Sequence, residues 1–168
     1  MRIYLSGPMF TQADREYNLR LAAKLRTMEF EVYCPNESEP ANDKTRNDIT
    51  GRIIYDLDIA ALEWANVALV QVSEDSGTNW EAGYMDCLSK RVDPSRWWGV
   101  LGLATDMRLQ TLPDPAKTGV DNQAFHLNQL VVGGLQASLG IYLDEESAFA
   151  RLRELREERE GTERGGGS

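Results

Sequence analysis

Short apolar runs alternate along this chain with longer stretches in which apolar residues recur every three or four positions. Arg2–Leu5 is β-branched and aromatic and stops at Ser6-Gly7-Pro8, which reads as a buried strand ending in a turn. From Ala13 to Met28 the residues Tyr17, Leu21, Leu25 and Met28 repeat at helical spacing. Phe30–Tyr33 reads as a second strand, closed by Cys34-Pro35-Asn36. Glu37 to Asn47 has no periodicity and is expected to be a mobile surface loop. Asp48–Trp64 is predicted helical, with Ile49, Ile53, Leu57, Ala60 and Trp64 on one face. Val67–Val72 is a continuous apolar run of strand length, Ser73–Thr78 a turn, and Asn79–Ser89 a helix with Trp80, Tyr84, Cys87 and Leu88 as its apolar side. Trp97–Leu103 is predicted as a strand and Leu112–Asn122 as a loop. Gln123–Leu139 is predicted as a helix interrupted by Gly133-Gly134. Ile141–Leu143 reads as a short last strand and Glu145–Glu158 as a charged helix with Ala148, Leu152 and Leu155 inward. Residues 161–168 have the composition of a flexible tail or linker.

Strands that alternate with helices and are apolar throughout imply an α/β fold, with a mostly parallel, about five-stranded sheet covered on both faces. A length of 168 residues suits one domain, over residues 1–160. Sheets of this kind bind ligands beyond the carboxyl ends of their strands. Attention therefore falls on Ser6–Phe10, Ser73–Glu81 and Ala104–Arg108.

Composition narrows the function more than the fold. Hydrophobic residues make up 42% and charged residues 27%, so the chain can build a core. A net charge of −9 argues against a nucleic-acid or anionic-membrane partner, which would need a basic face. Cys34, Cys87 and His126 are too few and too scattered for a zinc site, and nothing marks His126 as the base of a nucleophilic triad. No metal and no organic cofactor is expected. No apolar run approaches the ~20 residues of a membrane span. The first residues run into a strand with no signal peptide, so a cytoplasmic location is expected. Neither GxGxxG nor GxxxxGK[ST] occurs, which disfavours dinucleotide-binding and P-loop readings.

The densest polar constellation is Glu74-Asp75-Ser76-Gly77-Thr78-Asn79-Trp80-Glu81. Asp75 or Ser76 suits an N-cap, which would put Glu81 in or near the first turn and hold it ionised at neutral pH. An ionised, oriented carboxylate is a candidate nucleophile. The structural alternative is a capping box, since Thr78 is followed three residues later by Glu81. Asp58 lies beside an apolar stripe, and is either an acid at the sheet's top edge or a solvated one. Tyr4 ends the first strand, where it either meets a carboxylate or packs as a core tyrosine. Phe10 follows a Gly-Pro turn and either packs down or stacks on a planar ligand. Gly7 and Ser76-Gly77-Thr78 offer backbone N–H groups to an anion, a weak signal without a phosphate-loop motif. Trp97-Trp98 reads as packing or a subunit contact.

With these residues in view, the chain resembles the nucleoside 2-deoxyribosyltransferase family. Ile3-Tyr4-Leu5-Ser6-Gly7-Pro8-Met9-Phe10 looks like the family's first strand and substrate loop, and Asp58 like its second-helix aspartate. Asp75-Ser76-Gly77-Thr78-Asn79-Trp80-Glu81-Ala82-Gly83-Tyr84 looks like its signature DSGTxWExGY. Thr105-Asp106-Met107-Arg108 and Leu127-Asn128-Gln129-Leu130 resemble two further elements. The resemblance implies a flavodoxin-like three-layer sandwich, and an enzyme that moves 2-deoxyribose from a 2′-deoxynucleoside to a free nucleobase in nucleoside salvage. It implies Glu81 as the nucleophile and Tyr4 as its orienting partner. Asp75 and Asp58 would bind base or sugar, one of them assisting proton transfer, and Phe10 would stack near the base. Asn128 would reach a neighbouring subunit's sugar, giving a homo-oligomer, at least a dimer, with shared sites.

Three departures stand out. Val92–Trp97 looks like an insertion, Asn66 stands where aspartate is common, and Asn79 replaces a common alanine. A hydrolase using the same Glu81 on a deoxynucleoside or its 5′-phosphate is the alternative reading; Ser6–Phe10 offers no obvious phosphate pocket, while Arg15 and Arg108 keep the nucleotide version open. A nucleoside-binding module without turnover is the second alternative.

Overall fold

The computed structural model of the chain describes residues 1–39, 41–43, 45–106 and 127–165. Five strands, β1 (Arg2–Ser6), β2 (Glu31–Tyr33), β3 (Val67–Gln71), β4 (Gly99–Leu103) and β5 (Ile141–Tyr142), form one sheet in the order β2-β1-β3-β4-β5. Every pairing is parallel, with Ser6 opposite Val70 and Gln71 opposite Leu103. Four α-helices connect them, α1 (Gln12–Thr27), α2 (Gly51–Trp64), α3 (Ser76–Cys87) and α4 (Gln129–Gln136), and α5 (Glu145–Gly165) follows β5. The flavodoxin-like three-layer sandwich expected from the resemblance is the one that forms.

Strand alternation sorts the core into two layers. Ile3, Leu5, Val67, Leu69, Leu101 and Leu103 pack against Leu21 and Leu25 of α1 and Leu152 and Leu155 of α5. Tyr4, Ala68, Val70 and Val100 pack against Leu62 of α2, Met85 of α3 and Leu135 of α4. Glycine is required at Gly99, where φ is +131° and a Cβ would lie 2.7 Å from the Ser138 hydroxyl oxygen.

Several predicted boundaries shift. The helix α2 starts at Gly51 behind a Thr50 cap, and the stripe predicted for it is not its buried face. Ala61 and Leu62 are buried, whereas Ile53, Ile54, Tyr55 and Leu57 stay 38–44% exposed. Length explains this. Fourteen residues of helix span about 21 Å at roughly 1.5 Å each, and the five residues of β3 about 16 Å at roughly 3.3 Å each. The excess of about 5 Å lets roughly the first turn of α2 project past the strands.

The helix α4 begins at Gln129 with Asn128 as its cap, and Gly133-Gly134 lie inside it rather than interrupting it. Buried Val132 and Leu135 anchor that helix on the sheet, and tertiary packing outweighs the low helix propensity of two glycines. The last helix continues through 161–165, where a flexible tail is expected. Extending an established helix costs little per residue, and Arg151–Glu158 at 2.8 Å braces the preceding turns. The predicted loop 112–122, together with Met107, Arg108 and His126, lies outside the described residues. Among the described residues, no helix is long and apolar enough to cross a membrane.

Candidate active site

The order β2-β1-β3 means that the connections leaving β1 and β3 run to opposite faces, which opens a crevice at their carboxyl ends. The period of two along β1 then decides what enters it. Tyr4 and Ser6 point to the face covered by α2 and α3, while Ile3 and Leu5 point to the other core. Tyr4 is fully buried, and its ring stacks on Tyr33 with centroids 5.4 Å apart.

Opposite them stands α3. Its cap is Asp75, whose Oδ2 accepts from the Thr78 backbone N–H at 2.8 Å and from the Thr78 hydroxyl at 2.7 Å. Because the helix starts at Ser76 rather than Asn79, Glu81 lies in the second turn, and the capping box between Thr78 and Glu81 does not form. Glu81 instead points into the crevice. The Tyr4 hydroxyl donates to its Oε1 at 2.8 Å and the Ser6 hydroxyl donates to its Oε2. Both carboxylate oxygens are thus held by β1.

This placement corrects the expectation that a helix N-terminus keeps Glu81 ionised. The free N–H groups are a turn away, and burial dominates. Desolvation pushes the Glu81 carboxyl up to about 7, against the two hydroxyl donors and with help from the charges of Asp58 and Asp75. Burial also raises the Asp58 carboxyl above its ordinary range, with the Tyr4 hydroxyl opposing the shift. The Tyr4 phenol is itself pushed far above its usual value by burial and by the Glu81 and Asp58 charges, so it remains a protonated donor.

Tyr4, Asp58 and Asp75 are therefore gathered around Glu81. Asp58 also borders a cavity of about 70 Å³ beside Met9, Pro35, Ile54 and Leu57. Phe10, 75% exposed, stands on the rim rather than packing down. Its loop is nevertheless tied. The Arg15 guanidinium donates to the Met9 and Phe10 carbonyls at 3.3 and 3.2 Å, and the Asn18 amide donates to the Pro8 carbonyl at 3.0 Å.

Gly7 occupies a place set by packing. A Cβ there would lie 2.4 Å from the Gln71 amide nitrogen and 3.3 Å from the Asn18 amide oxygen. Those two side chains are hydrogen-bonded to each other, Gln71 donating, and both are buried. The Thr78 N–H is already taken by Asp75, so Ser76-Gly77-Thr78 does not present all its amides to an anion as the cradle reading supposed. Asn128 is exposed and uses its Oδ1 to accept from the Leu130 N–H at 2.9 Å, which keeps it at the head of α4. Asn66 accepts from the Arg2 N–H at 3.0 Å and donates to the Arg96 carbonyl at 3.1 Å, tying the Val92–Trp97 segment to β1.

Sequence reasoning passed over Ser6, Asn18 and Gln71. A signal existed for the first: Ser6 lies two residues from Tyr4 on one strand, so both must face the same way. The partners of Asn18 and Gln71 lie 53 residues apart in sequence, and no local pattern joins them.

The architecture and this crevice define a flavodoxin-like α/β protein with a carboxylate-centred site at the switch point of its sheet. The chain belongs to the nucleoside 2-deoxyribosyltransferase family, whose profile matches residues 3–130. An uncharacterized protein of Ureaplasma parvum serovar 3 is 31% identical over 104 residues, covering 56% of this chain and 65% of that protein. Among solved structures, a conserved protein from Enterococcus faecalis superposes with a TM-score of 0.67 at 25% identity, covering 91% of this chain and 97% of that one. A 2-deoxyribosyltransferase from Bacillus psychrosaccharolyticus superposes with a TM-score of 0.55 at 18% identity, covering 86% and 87%. The last likeness is one of fold.

Proposed function

We propose that the protein transfers 2-deoxyribose between nucleobases through a covalent intermediate on Glu81. The observation that carries this reading is the Glu81 carboxylate, partly buried at the switch point with an oxygen on Tyr4 and an oxygen on Ser6. In the first displacement an anionic Glu81 oxygen bonds to C1′ of the deoxynucleoside. The C1′–N bond breaks, and its electron pair leaves on the base, which takes up a proton. Asp58 is the better placed source. Asp75 Oδ2 is engaged by Thr78, and only its other oxygen is open to base or sugar. In the second displacement a nitrogen of the acceptor base bonds to C1′, gives its proton to the carboxylate that had lost one, and releases Glu81. Two inversions retain the β configuration. The carboxylate stabilises the oxocarbenium-like state between bond breaking and bond making.

The exposed Phe10 ring suits stacking on a planar base. Arg15 is engaged with two loop carbonyls, which favours an uncharged nucleoside over a 5′-phosphate. The exposed Asn128 keeps its amide N–H groups for a sugar bound by a second subunit, so we place the enzyme in a homo-oligomer, at least a dimer, acting in cytoplasmic nucleoside salvage. A base-exchange assay read by chromatography tests the activity. The protein is given deoxyadenosine or thymidine, each with and without a second free base. A new deoxynucleoside that appears only with the acceptor supports transfer. Free base released regardless of acceptor marks a hydrolase instead. Thermal stabilisation by nucleosides without turnover marks a binding module.

A further inference from the structure

We infer that Ser6 is a positioning residue for Glu81, holding for attack the carboxylate oxygen that Tyr4 leaves uncovered. The inference rests on Glu81 being the nucleophile. Ser6 is fully buried at the carboxyl end of β1, and its hydroxyl donates to Glu81 Oε2 while the Tyr4 hydroxyl donates to Oε1. One hydroxyl on each oxygen fixes the plane of the carboxylate and its two side-chain torsions. A single donor would leave the group free to rotate about that one bond.

The pair also matters through both half-reactions. When Glu81 bonds to C1′, one of its oxygens becomes the ester oxygen and the other the carbonyl oxygen. Whichever oxygen attacks, one hydroxyl stays on the carbonyl. When the acceptor base displaces the ester, negative charge returns to a carboxylate whose two donors are already in place. A donor fixed before the charge develops costs no reorganisation.

The surroundings make this donor consequential. Facing Glu81 are Tyr4 and Ser6 from β1, Asp58 from α2, and Asp75 from the head of α3, with Tyr33 of β2 behind Tyr4. Burial and both aspartates oppose ionisation, and the two hydroxyls favour it. Removing Ser6 takes away one of the two favouring contacts, so the anion becomes scarcer as pH falls. Serine to alanine removes only an oxygen from a buried site, so the fold should persist.

The test uses the full chain and the variants Ser6→Ala, Ser6→Thr and Glu81→Ala. Exchange is measured from pH 5.5 to 9, and the Glu81 carboxyl is followed by ¹³C NMR with labelled glutamate, using Glu81→Ala to assign its resonance. Ser6→Ala is expected to lower kcat about tenfold at pH 6 and less than threefold at pH 8.5, with KM within about twofold, a tenfold change being about 1.4 kcal/mol. Its acid limb should move to higher pH, and the Glu81 resonance should titrate at higher pH than in the wild type. Ser6→Thr, which keeps the hydroxyl, should restore both. An unchanged kcat–pH profile and an unchanged Glu81 titration in Ser6→Ala would overturn the role of Ser6. So would a uniform loss at every pH with no change in titration, which a purely structural effect would produce. Should Ser6→Ala fail to fold, Ser6→Thr and Ser6→Cys decide the matter through the titration, a thiol being the weaker donor. If the wild type exchanges no base, or Glu81→Ala exchanges as well as the wild type, the nucleophile reading fails. The NMR titration still reports separately whether Ser6 holds the carboxylate.

Discussion

The heads of α1 and α3 carry the same local pattern, a threonine followed three residues later by an acid, and put it to different uses. In α1, Thr11 is the N-cap. Its side chain accepts from the Asp14 N–H at 3.1 Å, and Asp14 accepts from the Thr11 N–H at 2.9 Å, so the capping box is complete. In α3 the cap is Asp75, three residues upstream of Thr78, and the threonine is a buried donor to that cap. Glu81 is thereby released from the helix terminus and meets Tyr4 and Ser6. The difference teaches that a capping motif identifies its acid only once the first helical residue is known. A shift of three residues moves the acid nearly a full turn along the helix, from a backbone partner to a tertiary one.

The comparison breaks most severely at its two acids. Glu81→Ala is expected to reduce base exchange at least 10³-fold, in line with removal of a nucleophile. Asp14→Ala should leave exchange within about twofold and cost on the order of 1 kcal/mol of stability. Equal losses of activity in the two variants would contradict the assignment. Tyr4→Phe keeps the buried ring and removes one donor to Glu81, so kcat should fall roughly 10- to 100-fold, consistent with loss of one preorganised hydrogen bond. A wild-type kcat for Tyr4→Phe would show that the contact at 2.8 Å does not orient the proposed nucleophile.

The pH dependence sharpens the same contrast. Under the proposed mechanism Glu81 attacks as its anion, so kcat/KM should rise with an acid limb near pH 7, the value to which burial pushes its carboxyl. Stability runs the other way. A carboxyl whose folded value lies above its unfolded one binds more protons when folded, so its contribution favours folding at low pH. That contribution is lost as pH climbs from about 4.5 to about 7. Glu81→Gln should therefore raise the Tm at pH 8 and change it little at pH 5, the gain being on the order of 1–3 kcal/mol. A Tm difference independent of pH would refute the raised Glu81 value.

The smallest effects separate the two caps. Thr11→Ala and Asp75→Ala should each cost about 1 kcal/mol in chemical denaturation. Only the second should also slow exchange, because Asp75 faces Glu81 as well as capping α3. Loss of activity in Thr11→Ala would mean that the α1 cap reaches the site through the Gly7–Phe10 loop.

The chain by itself determined a great deal here. Apolar runs of strand length alternating with helical stripes specified a parallel sheet covered on both faces, because a strand buried on both sides leaves no room for polar alternation. The turns at Ser6-Gly7-Pro8 and after Val72 located the ends of β1 and β3, and the family-like spacing from Asp75 to Glu81 singled out the carboxylates. Local patterns of this kind are legible because backbone period and turn chemistry act over a few residues.

Tertiary structure decided the rest. It set the start of α3 at Ser76, left Ile53 and Leu57 of α2 exposed, and joined Asn18 to Gln71 beneath Gly7. It also reversed the expected electrostatics of Glu81, partly burying an acid that a helix terminus would have kept charged. Desolvation and long-range hydrogen bonds depend on what lies across the crevice. Tyr4 and Ser6 stand 77 and 75 residues from Glu81 in sequence, so only the folded chain brings the two hydroxyls to the carboxylate they hold.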